Sequence, residues 1–152
     1  MSCRSPLLYL FVCLLLMSKA TSAQTDTMFW FAAPDLQQAH GDRPILLRIS
    51  TQNTASVVTV SQPANASFTP ITLNIAANSS NSVDLTAFIT QLENVTPNTV
   101  TNKGLLITAT TPISCYYDIA NGFNGDIYAL KGKNALGTKF TLPFQMGFVG
   151  RG

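Results

Sequence analysis

Charged side chains are scarce in this sequence. Only 11% of its 152 residues are Asp, Glu, Lys or Arg, and nine basic against seven acidic residues give a formal net charge of +2. Two of the basic residues, Arg4 and Lys19, lie in the N-terminal leader described below, so the rest of the chain is close to neutral. Such a chain lacks the basic surface that binds nucleic acid, and no nucleic-acid partner is expected.

Cysteine is nearly absent as well. Cys3 and Cys13 lie in the leader, so Cys115 alone remains in the mature chain. This excludes an intramolecular disulfide and a cysteine-rich zinc site there. Cys115 shares one face of a predicted strand with Ile113, Tyr117 and Ile119. We therefore predict a buried core thiol rather than a reactive one.

The N-terminus has the pattern of a secretory signal peptide. Residues 1–6 carry one basic residue, residues 7–17 are an unbroken apolar run, and the small-residue stretch SKATSAQ follows. The run is shorter than the about 20 apolar residues that a membrane span needs. We predict a signal peptide over residues 1–23, a secreted or cell-surface location, and no membrane span.

Long helical patterns are missing, and short strand patterns take their place. The chain is rich in Thr, Ser, Asn, Val and Ile, which favours strands joined by turns. The predicted strands are 27–33, 45–50, 55–63, 71–78, 83–85, 104–120 and 126–130, with a polar turn at 78–82. Residues 85–93 have helical spacing over a single turn, and Pro112 should bend or break the longest strand. This pattern predicts an all-β, antiparallel, Ig-like sandwich over residues 24–130.

The strand patterns also predict the core and the domain boundaries. The predicted core consists of Phe29 or Trp30, Leu47, Val58, Val60, Leu73, Ile75, Val83, Leu106, Ile113, Cys115, Tyr117 and Ile127. Residues 131–152 contain a new alternating apolar stretch around Phe140, Leu142 and Phe144. We interpret them as a connector and the first strand of a following, truncated β unit. The chain would then open a multi-unit β array, with neighbouring β units as partners.

The stretch LKGKNALGTKF has glycines at the spacing of a nucleotide-binding loop. Gly132 and Gly137 fit that spacing, but Thr138 and Lys139 stand where Lys followed by Ser or Thr is required. Pro143 excludes a helix soon afterwards, and no βαβ pattern occurs elsewhere. The glycines are better explained as positions of positive φ in a connector. No nucleotide or other cofactor is expected.

Acid–base and metal chemistry have few candidate residues. His40 and Asp42, with Arg43 beside them, could serve a hydrolase, but no nucleophile motif accompanies them and a surface turn explains them as well. Asp118, Asn121, Asn124 and Asp126 supply oxygens close together and form a weak calcium candidate without EF-hand spacing. Their two Asn-Gly pairs favour a hairpin turn instead.

Two further groups of residues could face outward. Asn65, Asn78 and Asn94 fit the N-glycosylation pattern, which matters only in a eukaryotic host. Trp30, between Phe29 and Phe31, could form a platform on which sugars stack. Because neighbouring residues of a strand face opposite sides, at least part of this trio must belong to the core, and core packing is the favoured interpretation.

Several segments together resemble a known family. FWFAAPD, HGDRPILLRIST, VTVSQPAN, NKGLLITATTPIS and DIYALKGKNALGTKFTLPFQ are similar to the N-terminal domain of IgGFc-binding-type proteins, in the bacterial branch of Bacteroidota-like secreted proteins. The resemblance covers residues 27–145, only the first portion of that domain. It implies an exported, non-enzymatic binding or adhesion module. It supplies no catalytic residues, and no Fc-contacting motif is present to carry Fc binding over.

Three functions follow from these patterns. The leading one is a non-enzymatic adhesion module for a glycan or protein ligand, which predicts a polar Thr/Asn/Ser face without converging ionisable groups. A structural spacer in a repeat array is the first alternative, and it predicts no external ligand. The second is an extracellular hydrolase, in which His40 and Asp118 would meet in a cleft.

Overall fold

The computed structural model describes residues 24–35, 43–96, 98–122 and 125–136, with only the backbone at 134 and 135. The strands in this part of the chain are β1 Asp26–Phe31, β2 Ala33–Pro34, β3 Ile45–Thr51, β4 Ser56–Ser61, β5 Ile71–Ile75, β6 Ser80–Asp84, β7 Glu93–Asn94, β8 Leu105–Ile119 and β9 Asp126–Ala129. Short helical segments are a 3₁₀ turn at Thr86–Phe88, α1 at Ile89–Leu92 and a 3₁₀ turn at Gly132–Ala135. The predicted signal peptide and residues 137–152 lie outside the described residues.

The all-β prediction is confirmed. Seven of these strands form one antiparallel, nearly closed sheet, and β2 pairs with β7 in a small parallel sheet. Strand β8 organises the large sheet because its 15 residues pair with four other strands. Ile113 of β8 lies opposite both Asp26 of β1 and Thr51 of β3, so these two strands flank β8 on opposite edges.

The registers divide the sheet into two halves that share β8. Strand β4 lies on the same edge of β8 as β3, and β9 lies on the same edge as β1. One half therefore has the order β5–β4–β8–β1, and the other has the order β6–β3–β8–β9. The first half carries the candidate site described below.

The halves meet near Pro112, where a bend or break was predicted. Strand β8 continues through this residue, but it pairs with β4 before it and with β3 after it. The register with β1 shifts at the same place, from Met28 opposite Thr108 to Asp26 opposite Ile113. Because proline has no N–H to donate to a neighbouring strand, a change of partners is tolerated here.

Strand β8 must curve strongly for the halves to pack on each other. Phe31 lies opposite Leu105 at one end of β8, about 40 Å from Tyr117 if the strand were straight. The ring centroids of Phe31 and Tyr117 are nevertheless 4.6 Å apart. The inner faces of the two halves therefore share one core.

The core follows the alternation along the strands. Ile113, Cys115, Tyr117 and Ile119 share the buried face of β8, as predicted. The rest of the core consists of Phe29, Ala33, Ile45, Leu47, Ile49, Val58, Val60, Phe68, Ile75, Val83, Leu85, Ile89, Leu92, Leu105, Ile107 and Leu130. Each fully buried Leu or Ile contributes about 1.5–3 kcal/mol relative to an exposed one.

Two predicted core residues lie on the other face. Leu106 is only half-buried because the inward positions of β8 are the odd-numbered ones, Leu105 and Ile107 among them. Ile127 lies opposite Asp118 on the outer side of β9 and is 61% exposed. Both predictions are wrong for the same reason: an apolar residue in a strand is buried only on the inner face.

Smaller differences concern turns and partial burial. Leu73 packs against the core but is only half-buried, and Phe29 rather than Trp30 takes the inward position of β1. The polar turn predicted at 78–82 is shorter than expected, because β6 begins at Ser80 and pairs with β3. The helical spacing over 85–93 does correspond to helical structure, but the 3₁₀ turn Thr86–Phe88 continues directly into α1 and is longer than the single turn predicted.

Candidate binding face

The outer surface of the β5–β4–β8–β1 half is uncharged and rich in hydroxyl groups. We call it the threonine face. Its outward residues are Thr72 and Asn74 of β5, Val57, Thr59 and Ser61 of β4, Leu106, Thr108 and Thr110 of β8, and Met28 and Trp30 of β1. None of these ten side chains is ionisable at neutral pH. The alternation that buries Val58, Val60 and Ile107 on the inner side places the threonines outside.

The middle of the threonine face is a row of cross-strand neighbours. Thr72 lies opposite Thr59, Thr59 opposite Thr108, and Thr108 opposite Met28. Directly opposite residues have Cβ atoms about 5 Å apart, so the row runs straight across four strands. Within the described part of the chain, the hydroxyls of Thr59, Thr72 and Thr108 form no hydrogen bond. The described residues therefore leave these donors and acceptors unused.

Trp30 stands at the β1 edge of the threonine face. It lies opposite Leu106, which in turn lies opposite Ser61 of β4. Its side chain is 52% exposed, whereas the adjacent Phe29 is buried in the core. Neighbouring residues of β1 thus face opposite sides of the sheet. Phe29 is buried in the core, as the favoured interpretation predicts, and Trp30 takes the outward position that a stacking platform requires.

Grooves border Trp30 on two sides. A groove of about 160 Å³ lies between Met28, Trp30, Gly132 and Leu136. A more open one of about 460 Å³ extends from Trp30 to Ile127 of β9. Lys131 lines both and supplies a cation at the rim of the threonine face. Trp30 can therefore be approached from more than one direction.

A third groove lies at the opposite corner of the threonine face. It has a volume of about 420 Å³ and includes Val57, Asn74 and Thr110 among its lining residues. Val57 is 41% exposed, and its backbone N–H donates to the hydroxyl of Thr110 at 2.9 Å. The threonine face thus has grooves at two opposite corners.

The outer surface of the other half is different because it carries charge. Nε of Arg48 donates to Oδ2 of Asp118, which places an ion pair across β3 and β8. The side chain of Asp118 is 7% exposed and that of Arg48 is 49% exposed. The guanidinium group therefore covers the carboxylate and occupies one of its oxygens.

The structure places the calcium candidates in separate environments. Asp118 is paired with Arg48, and Nδ2 of Asn121 donates to the carbonyl oxygen of Arg43 at 3.1 Å. Asp126 is exposed and accepts from the N–H of Ile127 at 2.9 Å. Asn124 lies outside the described residues. Within those residues, no group of three or more His, Cys, Asp or Glu side chains is arranged to hold a metal ion.

The hydrolase candidates can be placed only in part. His40 and Asp42 lie outside the described residues, whereas Asp118 is buried beneath Arg48. The thiol of Cys115 is 1% exposed, and burial raises its pKa to about 12. A thiol so buried and protonated is a poor nucleophile.

The glycine-containing connector has no phosphate-binding geometry in its described part. Gly132 has φ +55° and begins a 3₁₀ turn of four residues rather than a helix. This confirms the positive φ that was predicted for a connector at Gly132, and Gly137 lies outside the described residues. The turn packs against β1, where the N–H of Lys133 donates to Asp26.

The three glycosylation candidates differ in access. Asn78 is exposed, in a turn with φ +51°. Nδ2 of Asn65 donates to Gln62 at 2.8 Å, and Nδ2 of Asn94 donates to the carbonyl oxygen of Ala33 at 2.9 Å. Asn65 and Asn94 are also half-buried, so Asn78 is the most accessible of the three.

Sequence reasoning expected a polar Thr/Asn/Ser face but did not identify its members. The relevant signal is the outward threonine in each of SVVTVS, ITLNI and LLITATT. These threonines become neighbours only because β4 lies between β5 and β8.

In the described ranges, no helix is both long and apolar enough to cross a membrane. Comparison with models of protein families, with curated proteins and with solved structures finds no match to this chain.

Proposed function

We propose that this protein is a secreted or cell-surface binding module without enzymatic activity, and that its ligand, a glycan or a protein, binds the threonine face. The observation that supports this proposal is an exposed tryptophan on a face without ionisable side chains. Acid–base and nucleophilic catalysis require ionisable or activated groups that converge on a reacting atom. The threonine face offers hydroxyl, amide and apolar groups instead, which hold a ligand but do not transform it.

The scaffold suits a binding role. The inner faces of the strands supply a continuous core, so the outer side chains sit on rigid elements rather than on loops. Sites on rigid strands lose little conformational entropy when a ligand binds. The resemblance to the IgGFc-binding-type domain, together with the signal-peptide pattern, also favours an exported adhesion module.

A binding screen tests this proposal. The purified chain would be applied to an array of extracellular glycans and to immobilised matrix and mucin proteins. We expect saturable binding to at least one probe, and a Trp30→Ala variant should weaken it by at least about tenfold, since aromatic residues that become buried under a ligand dominate such sites.

Tyr116 provides a matched control for Trp30. It is also a partly exposed aromatic residue, but it lies on the charged half of the sheet, opposite Arg48. Tyr116→Ala should leave binding unchanged. Absence of saturable binding to every probe would instead favour a spacer in a β array, and release of cleaved product from any probe would favour a hydrolase.

A further inference from the structure

We infer that the ligand of the threonine face is a neutral saccharide chain, with one sugar ring on Trp30 and further rings along the row Thr108–Thr59–Thr72. This inference rests on the proposed binding function and specifies its ligand class. It depends on three properties of the threonine face: its hydrogen-bonding groups, its lack of charge and its length.

The hydrogen-bonding groups match those of a sugar. Each hydroxyl of Thr59, Thr72 and Thr108 can donate one hydrogen bond and accept two, as can each hydroxyl of a saccharide. These threonine hydroxyls form no hydrogen bond with the described residues. A saccharide chain would therefore satisfy them without breaking hydrogen bonds within this part of the protein.

The half-exposed indole of Trp30 supplies the apolar contact. One face of a pyranose ring presents C–H groups, and an exposed aromatic ring is the side chain best suited to cover them. Trp30 is 52% exposed and is bordered by Met28, Leu106 and Leu136. Sites that combine an aromatic surface with a few placed polar groups are typical of small-molecule recognition.

The absence of charge argues for a neutral ligand. An anionic polysaccharide would need several cations along its length, but the ten outward residues of the threonine face include none. Lys131 lies only at the rim, in the grooves beside Trp30, and provides a single positive charge there. Binding should therefore depend weakly on salt.

The length of the row argues for a chain rather than a single sugar. Four strands are separated by three spacings of about 4.8 Å, so the row from Met28 to Thr72 extends about 14 Å. This is longer than one pyranose ring. A protein ligand fits less well, because leucine, serine, threonine and valine, which make up most of this face, are under-represented among the residues that dominate protein interfaces.

Titration calorimetry with defined oligosaccharides tests the inference. The probes are neutral oligomers of β-glucan, xylan, mannan and dextran, an oligogalacturonate as the anionic counterpart, and collagen as a protein probe. We expect at least one neutral oligosaccharide to bind, with an affinity that changes less than about threefold from low to high salt.

Variants of the threonine face locate the site. Trp30→Ala should weaken binding at least about tenfold, and Thr108→Val or Thr59→Val should each weaken it about two- to tenfold through loss of one hydroxyl. Thr108→Ser retains the hydroxyl and should retain most of the affinity. Tyr116→Ala is the control on the other half. Urea unfolding of each variant verifies that it is folded.

The outcomes separate the two proposals. Binding only to collagen or to oligogalacturonate would overturn the saccharide inference and leave the binding function standing. Binding of a neutral oligosaccharide that neither Trp30→Ala nor Thr108→Val weakens would overturn the assignment to the threonine face. Binding to none of the glycan or protein probes would overturn the proposed function itself.

Discussion

The backbone N–H of Lys133 donates a 2.7 Å hydrogen bond to Oδ2 of Asp26, a residue 107 positions earlier in the chain. Nζ of Lys133 lies 3.8 Å from the other carboxylate oxygen. These contacts fix the 3₁₀ turn Gly132–Ala135 against β1, the strand that carries Trp30. The groove beside Trp30 is lined partly by Gly132 and Leu136. The position of the turn therefore shapes the β1 edge of the threonine face.

Gly132→Ala should destabilise the protein. Gly132 has φ +55°, and a Cβ atom built there would lie 2.4 Å from Cβ of Asp26. Strain in the left-handed region costs about 1–2 kcal/mol, and displacement of the turn adds to it, so we expect a loss of about 2 kcal/mol or more. The free energy of unfolding in urea is the measurement.

Gly122→Ala is the matched control for this change. A Cβ atom at Gly122 meets nothing within 4 Å. The control should lose less than about 0.5 kcal/mol, as for a surface substitution without special backbone geometry. Equal losses for the two variants would contradict the packing of the turn against Asp26.

Asp26→Asn should remove a pH-dependent part of the stability. The hydrogen bond from the N–H of Lys133 is the main cause that lowers the pKa of Asp26 below 3.8, aided by the N–H of Thr27 and the Lys133 ammonium group. A lowered folded-state pKa stabilises the fold fully above the unfolded value, and this stability is lost as the pH falls through the folded value. The variant should be about 1 kcal/mol less stable at neutral pH.

The difference between the wild type and Asp26→Asn should therefore shrink as the pH falls below about 3.8. Urea unfolding at neutral pH and at acidic pH measures it. A difference that stays constant with pH would argue against the role of the Asp26 carboxylate.

The alternation of apolar and polar residues predicts the strands of this fold. It does not show which residues of β8 before Pro112 face the core. The period of Ile113, Cys115 and Tyr117 is regular, and its buried face was predicted correctly. Leu105 and Leu106 are both apolar and adjacent, so local polarity does not show which one faces inward. A bend or break predicted at Pro112 also means that the buried positions after it do not determine which of these two leucines faces inward.

The threonine face could be predicted as a type of surface but not as a set of residues. Thr59, Thr72 and Thr108 are neighbours only because β4 lies between β5 and β8. Thr59 and Thr108 are 49 positions apart, and no local pattern encodes their contact. The exposure of Ile127 has a similar origin, because its face is fixed by pairing with Asp118 of β8.

Mutation can test which residues of β8 lie on its inner face and which lie on its outer face. Ile107 is fully buried, so Ile107→Ala should cost about 3 kcal/mol, the usual range for deletion of a large aliphatic side chain in a core being about 2–5 kcal/mol. Leu106→Ala on the threonine face should cost about 1 kcal/mol or less, because Leu106 is half-buried. Urea unfolding of the two variants gives the comparison. The reverse order of losses would mean that the faces of β8 are assigned the wrong way round.

Cys115 should react only when the protein unfolds. Cys115 is 1% exposed, and burial raises its pKa from 9.0 to about 12, so the thiol is almost entirely protonated at pH 8 in the folded state. A raised folded-state pKa also means that the associated stability is present below about pH 9 and is lost as the pH rises towards 12.

Alkylation with iodoacetamide, mapped by mass spectrometry of the Cys115 peptide, is the measurement. We expect labelling to follow the urea unfolding curve and to stay near zero in native buffer at pH 8. Rapid native labelling would show that the thiol is accessible, and the Cys115 face of β8 would then not be the core.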